Sequence, residues 1–261
     1  MLKRRLIPVL FLKNGLIVRS ETFSYHQNLG NPLAEAKRYS EWNVDELIYI
    51  DISAEKYYDL RRDDLRVIGK ATILDIIREV SKVCFVPLTF GGGIRTVDDV
   101  RDRIRHGADK VTINTAAIDD PSFITKCAEV FGSQCIVVSI DVKTVAGKRK
   151  VFKGGMIATE RDPVEWALQA ESCGAGEIFL NSIDRDGMGS GYDIDLIRMV
   201  AEAVKIPVIA CGGAGTFYDF IEVARQASVS AVAAGNIFHF TELAYPRAKE
   251  SMRKSDINVR A

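Results

Sequence analysis

The chain has 261 residues, 47% hydrophobic and 27% charged, the balance of a globular protein long enough for one large barrel or two small domains. Its 35 basic and 35 acidic side chains cancel, which removes any global field that would draw it to nucleic acid or to a membrane surface. No apolar run approaches the roughly 18 residues of a membrane span. Five scattered cysteines (Cys84, Cys127, Cys135, Cys173, Cys211) read as reduced thiols in a cytoplasmic setting. The isolated His26, His106 and His239 give no support to a metal site, and nothing calls for a cofactor. The basic start before Leu6 mimics a signal peptide, but Lys13 interrupts the apolar run and no small-residue cleavage site follows.

Residues 6–12 form a short continuous apolar run, the mark of a strand covered on both faces. Asn14-Gly15 turns the chain, and 16–18 are expected to pair back as a hairpin. A helix is expected over 33–42 and a second strand over 47–52. The charged segment 54–66 reads as a long loop, with a helix over 69–82. Strand three, 85–90, runs into Gly91, Gly92 and Gly93, and a helix over 97–106 follows. Strand four covers 110–115, a helix 121–131, and strand five 135–141. The basic stretch 143–161 reads as an exposed loop or β-excursion. Pro163 opens a helix to 172. Strand six, 178–184, leads into Asp186-Gly187; helix 193–204, strand 207–211, helix 217–227 and strand 230–235 complete the count.

Eight buried strands alternating with helices argue for α/β architecture, a parallel sheet closed into a single (β/α)8 TIM barrel; an open doubly wound sheet is the alternative. The halves echo each other: Val86-Pro-Leu-Thr-Phe-Gly-Gly92 resembles Ile206-Pro-Val-Ile-Ala-Cys-Gly-Gly213, so one domain over 1–261 is expected to be built of half-barrels at about 1–120 and 121–261.

Glycines where a strand ends and a helix begins leave backbone N–H groups free to face an anion. Gly92 and Gly93 with Asn114 and Thr115 are candidates for one phosphate. Asp186, Gly187, Gly212, Gly213, Ala234 and Gly235 are candidates for the other. For any one glycine a plain turn is the simpler reading; the two sets together favour a ligand with an anionic group at each end. Asp141 ends an apolar strand, so its carboxylate is paired, solvated or used for proton transfer, the plain alternative being a salt bridge to Lys143. At the opposite strand ends Arg5, Glu46, Lys110 and Glu177 each precede an apolar run, and two cations with two anions at one level would close a ring. Read alone, the ring simply seals the barrel bottom.

Gly132-Ser-Gln-Cys-Ile-Val-Val-Ser-Ile-Asp141, Asp109-Lys-Val-Thr-Ile-Asn-Thr-Ala-Ala117, Gly174-Ala-Gly-Glu-Ile178, Ser182-Ile-Asp-Arg-Asp-Gly187 and Cys211-Gly-Gly-Ala-Gly215 together resemble the cyclase subunit of imidazole glycerol phosphate synthase over nearly the whole chain. The resemblance implies a lyase-like, ammonia-dependent barrel subunit with two phosphate sites. Its partner would be a class I glutaminase at the amino-terminal face of the barrel. It also implies that Asp141 is catalytic, that Arg5, Glu46, Lys110 and Glu177 gate ammonia, and that Asp109 and Gln134 face the glutaminase. One departure stands out. The family's first strand ends in a second catalytic aspartate where this chain has Phe11, and a family lysine is matched by Arg19. The chain therefore resembles a divergent branch of the family associated with surface-polysaccharide genes. The resemblance implies that this branch serves amidination of an acetamido sugar with an ATP-dependent amidotransferase. A true histidine-pathway cyclase and a non-catalytic ammonia conduit are the alternatives.

Overall fold

The computed structural model describes residues 3–59 and 70–260. It opens with β1 (Arg5–Lys13), then a hairpin of β2 (Leu16–Glu21) and β3 (Tyr25–Gly30), α1 (Pro32–Glu41), β4 (Leu47–Asp51) and α2 (Ile73–Val80). There follow β5 (Leu88–Gly91), α3 (Val97–His106), β6 (Lys110–Ile113), α4 (Thr115–Asp119), α5 (Ser122–Phe131) and β7 (Ile136–Val145). After β8 (Lys148–Lys153) and β9 (Ile157–Ala158) come α6 (Pro163–Ser172), β10 (Glu177–Ser182) and α7 (Ile194–Ala203). The last elements are β11 (Val208–Cys211), α8 (Phe217–Gln226), β12 (Ala231–Ala234) and α9 (Ala244–Lys254).

Eight strands pair in parallel in the order β1, β4, β5, β6, β7, β10, β11, β12. β12 returns to β1 with Arg5 opposite Ala231, so the sheet is a closed barrel and the open doubly wound alternative falls. Because strand side chains alternate, each strand feeds two cores. Ile7, Val9, Phe11, Ile48, Val137, Phe179 and Ile209 fill the barrel. Leu6, Leu10, Phe90, Val111, Ile140 and Val232 face outward under the helices. Each such side chain, fully buried, contributes roughly 1.5–3 kcal/mol, so both layers are needed to hold the strands at a common level.

The helices start where polar side chains satisfy free N–H groups. Asn31 accepts from Leu33 N at 2.8 Å ahead of α1, and Asp162 accepts from Val164 N at 2.8 Å ahead of α6. Thr96 with Asp99, and Thr216 with Asp219, form matching capping boxes on α3 and α8.

Several elements differ from the sequence reading. Strand three starts at Leu88 rather than 85, because Pro87 has no N–H to pair, and Phe85 is left 85% exposed. α2 starts at Ile73 because Thr72 caps it, accepting from Asp75 N at 3.3 Å. Residues 60–69, part of the expected loop and the start of the expected helix, lie outside the described residues. Strand four stops at Ile113 and turns into α4; the 143–161 stretch is a long antiparallel extension of β7 with β8 and β9. β3 and α9 were not expected. All five cysteines are free thiols, and no helix of the described residues is long and apolar enough to cross a membrane.

Candidate functional site

The floor of the barrel is made where strands begin. Arg5, Lys110 and Glu177 open β1, β6 and β10, Glu46 directly precedes β4, and alternation turns all four inward. Arg5 Nη1 donates to Glu46 Oε1 at 2.8 Å and Arg5 Nη2 donates to Glu177 Oε1. Lys110 Nζ donates to Glu46 Oε2 at 3.2 Å and to Glu177 Oε2 at 3.0 Å. Each cation thus touches both acids, and the ring is closed. Burial alone would raise the Glu46 carboxyl, but Arg5 and Lys110 outweigh it and hold it below the usual range. Burial likewise pulls Arg5 down, and Glu177 and Glu46 more than restore it.

Outside the ring lies a cavity of about 580 Å³, lined among others by Lys3, Arg4, Gln134, Ser230 and Arg260. Arg260 Nη1 sits 3.7 Å from Glu46 Oε1. Asp109 is exposed on this face but does not line the cavity; its carboxylate accepts from Leu88 N at 2.8 Å and fixes the start of β5.

The mouth is built differently. Register sets Asp141 of β7 opposite Asn181 of β10, both facing inward. Asn114 Nδ2 donates to Asp141 Oδ2 at 3.2 Å and Ser139 Oγ to Oδ1 at 3.4 Å, and among the described residues no cation pairs with this carboxylate. The expected alternative, a salt bridge to Lys143, is not made. Burial pushes the Asp141 carboxyl up to about 7; Ser139 and Asn181 oppose that rise and the charge of Asp186 adds to it. Asp186 is also raised by burial, although it accepts a hydrogen bond from Ser20 Oγ at 2.7 Å. Two buried carboxylates with displaced titrations therefore share the mouth, the arrangement that suits a group for proton transfer near neutrality.

Around them lie the glycine pairs. Gly92 and Gly93 have φ of 90° and 63°, and Gly212 and Gly213 have 93° and 113°. A Cβ on Gly92 would fall 1.9 Å from the Asp51 carbonyl oxygen, and one on Gly213 2.1 Å from that of Gly191, so no other residue fits either place.

A model of histidine biosynthesis proteins matches residues 5–244, which takes in every strand of the barrel. The chain belongs to this family. It is 41% identical over 265 residues to the imidazole glycerol phosphate synthase subunit HisF of Alkaliphilus metalliredigens (strain QYMF). It is 43% identical over 262 residues to the protein of the same name from Hydrogenobaculum sp. (strain Y04AAS1). Both alignments cover all of each chain.

Within this family barrel, not every expected ligand residue offers a free donor. Thr115 is exposed, and its hydroxyl donates to Asn114 Oδ1 at 3.4 Å. The Asn114 amide is already engaged by the Ser139 and Phe152 carbonyls and by Asp141, while its oxygen accepts from Gly154 N at 2.8 Å. Asp186 offers an anion no side-chain donor while ionised and sits instead beside Asp141. Gly187, at φ 71°, packs under the Ser20 carbonyl, which also accepts from Asn236 Nδ2 at 2.8 Å. Ala234 closes β12, and Gly235 leads into a 3-10 turn at Asn236–Phe238. Phe11 is 4% exposed and packs edge-to-face on Phe23 from the β2–β3 turn, with ring centroids 5.4 Å apart. Arg19 pairs with Glu21 and lies 5.7 Å from the Phe240 ring.

Ser20, Thr112, Ser139 and Asn181 also belong to the barrel's inner surface and mouth, and none of them stands out in the sequence by a motif of its own. Among the described residues Thr112 Oγ1 and both amide atoms of Asn181 are buried without a partner in hydrogen-bond geometry, so Asn181 acts on the neighbouring Asp141 through its amide dipole alone. Period-two counting back from Asp141 and Asn114 would have marked Ser139 and Thr112 as inward-facing polar groups. Nothing local signals Ser20.

Proposed function

We propose that this chain is the ammonia-using barrel subunit of a two-subunit synthase. A class I glutaminase docks on the floor, ammonia passes the Arg5–Glu46–Lys110–Glu177 ring, and it meets a doubly anionic ligand at the mouth. The observation that carries this reading is the closed ring, with a cavity outside it and the partnerless Thr112 and Asn181 groups on the barrel's inner face. Fixed charges of both signs repel or trap a charged nitrogen, whereas neutral ammonia carries no such penalty. Buried polar atoms without protein partners offer it hydrogen bonds on the way.

At the mouth the nitrogen lone pair adds to a carbonyl-type carbon of the ligand, and that carbon's π bond breaks with its electron pair moving onto the heteroatom. The proton made acidic on the nitrogen passes to the Asp141 carboxylate, which can return it to that heteroatom. The titration of Asp141 near 7 leaves enough of the ionised form to accept that proton and enough of the acid to return one.

The finer reading is amidination of an acetamido sugar, alongside a separate ATP-dependent amidotransferase. Phe11 supports it: a phenyl ring stands where the resemblance calls for a second carboxylate. The sugar itself comes from the resemblance alone. The printed name of the two relatives favours the second reading, ring closure to imidazole glycerol phosphate. One assay separates them. The purified chain with ammonium salts and the cyclase nucleotide substrate is expected to show no ring closure, and Phe11→Asp to gain it. Closure by the unmodified chain would overturn the amidination reading. Lys110→Ala or Glu177→Ala is expected to uncouple glutamine hydrolysis from ammonia use without unfolding the chain. A transfer rate untouched by Asp141→Asn would leave only a conduit.

A further inference from the structure

α3 carries charged side chains at 98, 99, 101, 102, 103 and 105, and it reads as a solvated helix. Arg103 nevertheless is only 5% exposed. Its guanidinium lies beneath the first glycine pair: Nη2 donates to the Gly92 carbonyl at 2.6 Å and Nη1 to the Asp99 carbonyl at 2.9 Å, while Nε is buried with no partner. The two acids that act on it most are occupied elsewhere. Asp99 accepts from the Arg95 and Thr96 N–H groups, and Asp51 accepts from Ser53 and Tyr58. Among the described residues this buried cation is held by carbonyl groups alone, a costly arrangement for which a hydrophobic side chain would ordinarily serve better.

We propose that Arg103 is a positioning residue that sets the affinity of the first anion site, by polarising the peptide between Gly92 and Gly93. The Gly92 carbonyl and the Gly93 N–H are two ends of one conjugated amide, so a charged donor on the oxygen makes the nitrogen a stronger donor. The cation also lies within reach of the charge it would attract. A Cβ on Gly93 would sit 3.6 Å from Arg103 Nη2, with no other atom of the described residues within 4 Å. At the second site the nearby cation is different in kind: Arg185 is half-buried, and its Nη1 donates to the Ser190 and Gly191 carbonyls at 3.1 Å rather than to a carbonyl of the glycine pair. Gly92 and Gly212, Thr96 and Thr216, and Asp99 and Asp219 correspond at a constant offset, and the position matching Arg103 is Val223, which is fully buried. Two cradles whose first glycines share nearly the same φ, 90° and 93°, thus differ at the matching helix position by one buried positive charge. That difference orients a ligand carrying two phosphate monoesters, its more highly charged end at Gly93. The inference rests on the proposed reading of the glycine pairs as anion sites.

The test is titration of the full ¹⁵N-labelled chain with inorganic phosphate, read at the Gly93 and Gly213 amide resonances. In the unmodified chain Gly93 is expected to report binding about tenfold tighter than Gly213. Arg103→Met is expected to weaken the Gly93 site by about tenfold, leave Gly213 within about twofold, and shift the ligand-free Gly93 N–H toward that of a weaker donor. Arg103→Lys should retain part of the affinity. Equal affinities at the two glycines in the unmodified chain would overturn the inference without any variant. An Arg103→Met chain with unchanged Gly93 affinity would do the same. Phosphate that shifts neither amide would overturn the anion-site reading itself, and this inference with it.

Discussion

Two ends of one barrel bury carboxylates to a similar degree and treat them in opposite ways. Glu46 at the floor is 4% exposed and held below the usual range; Asp141 at the mouth is 7% exposed and pushed up to about 7. Burial therefore does not decide the outcome. What differs is the company: Arg5 and Lys110 hydrogen-bond Glu46 and Arg260 lies 3.7 Å from it, whereas Asp141 has an amide, a hydroxyl and another acid. The floor is a ring in which each buried charge faces opposite charge. At the mouth a charge is left poorly compensated, which is the condition for exchanging a proton.

The hardest way to break this contrast is to open the ring. Arg5→Met leaves two buried acids to share Lys110, and urea denaturation is expected to show a loss on the order of 3–5 kcal/mol, partly recovered when Glu177→Gln is added. Next comes the mouth, where the effect has the opposite sign. The folded chain holds the Asp141 proton more tightly than the unfolded chain, so this group's contribution to stability is intact below about pH 4 and is lost as pH rises toward about 7. Asp141→Asn removes that loss. It is expected to gain on the order of 2–4 kcal/mol over the parent at pH 8 and nothing at pH 4, read by thermal or urea unfolding, while ammonia-dependent turnover disappears. The smallest effect sharpens the contrast. Asp186→Asn takes away a like charge and is expected to lower the Asp141 midpoint by roughly half to one unit, followed through its carboxyl ¹³C shift.

The barrel strands were legible because each is a short apolar run, and α3, α1 and α6 because their caps and first-turn residues stand in the sequence. α9 was not, for physical reasons. It has no side-chain cap, Leu243 before it sits at φ 54°, Pro246 falls in its first turn, and its buried side includes Lys249. That lysine is paid for by Asp45 at 2.6 Å, a partner 204 positions away that no local pattern can announce. β3 is polar and largely exposed and exists only as the partner of β2. The four floor residues were readable because each directly precedes an apolar run. The nearness of Asp186 to Asp141 was not, since it arises from pairing between β7 and β10 and from the hydrogen bond that Ser20 brings across from β2. Arg103 was hidden among its charged neighbours, although Val100 and Ile104 on the same side mark where the helix turns inward.

Closure by the pairing of β1 with β12 has a consequence for biosynthesis. While the ribosome is still translating, the first strand has no neighbour on one flank, and Arg5 must wait for an acid 172 positions downstream. A nascent chain stalled before Glu177 exposes that flank as an apolar, sticky margin. Chaperone capture should therefore peak in arrested chains of intermediate length and fall once Ala231–Ala234 have cleared the exit tunnel.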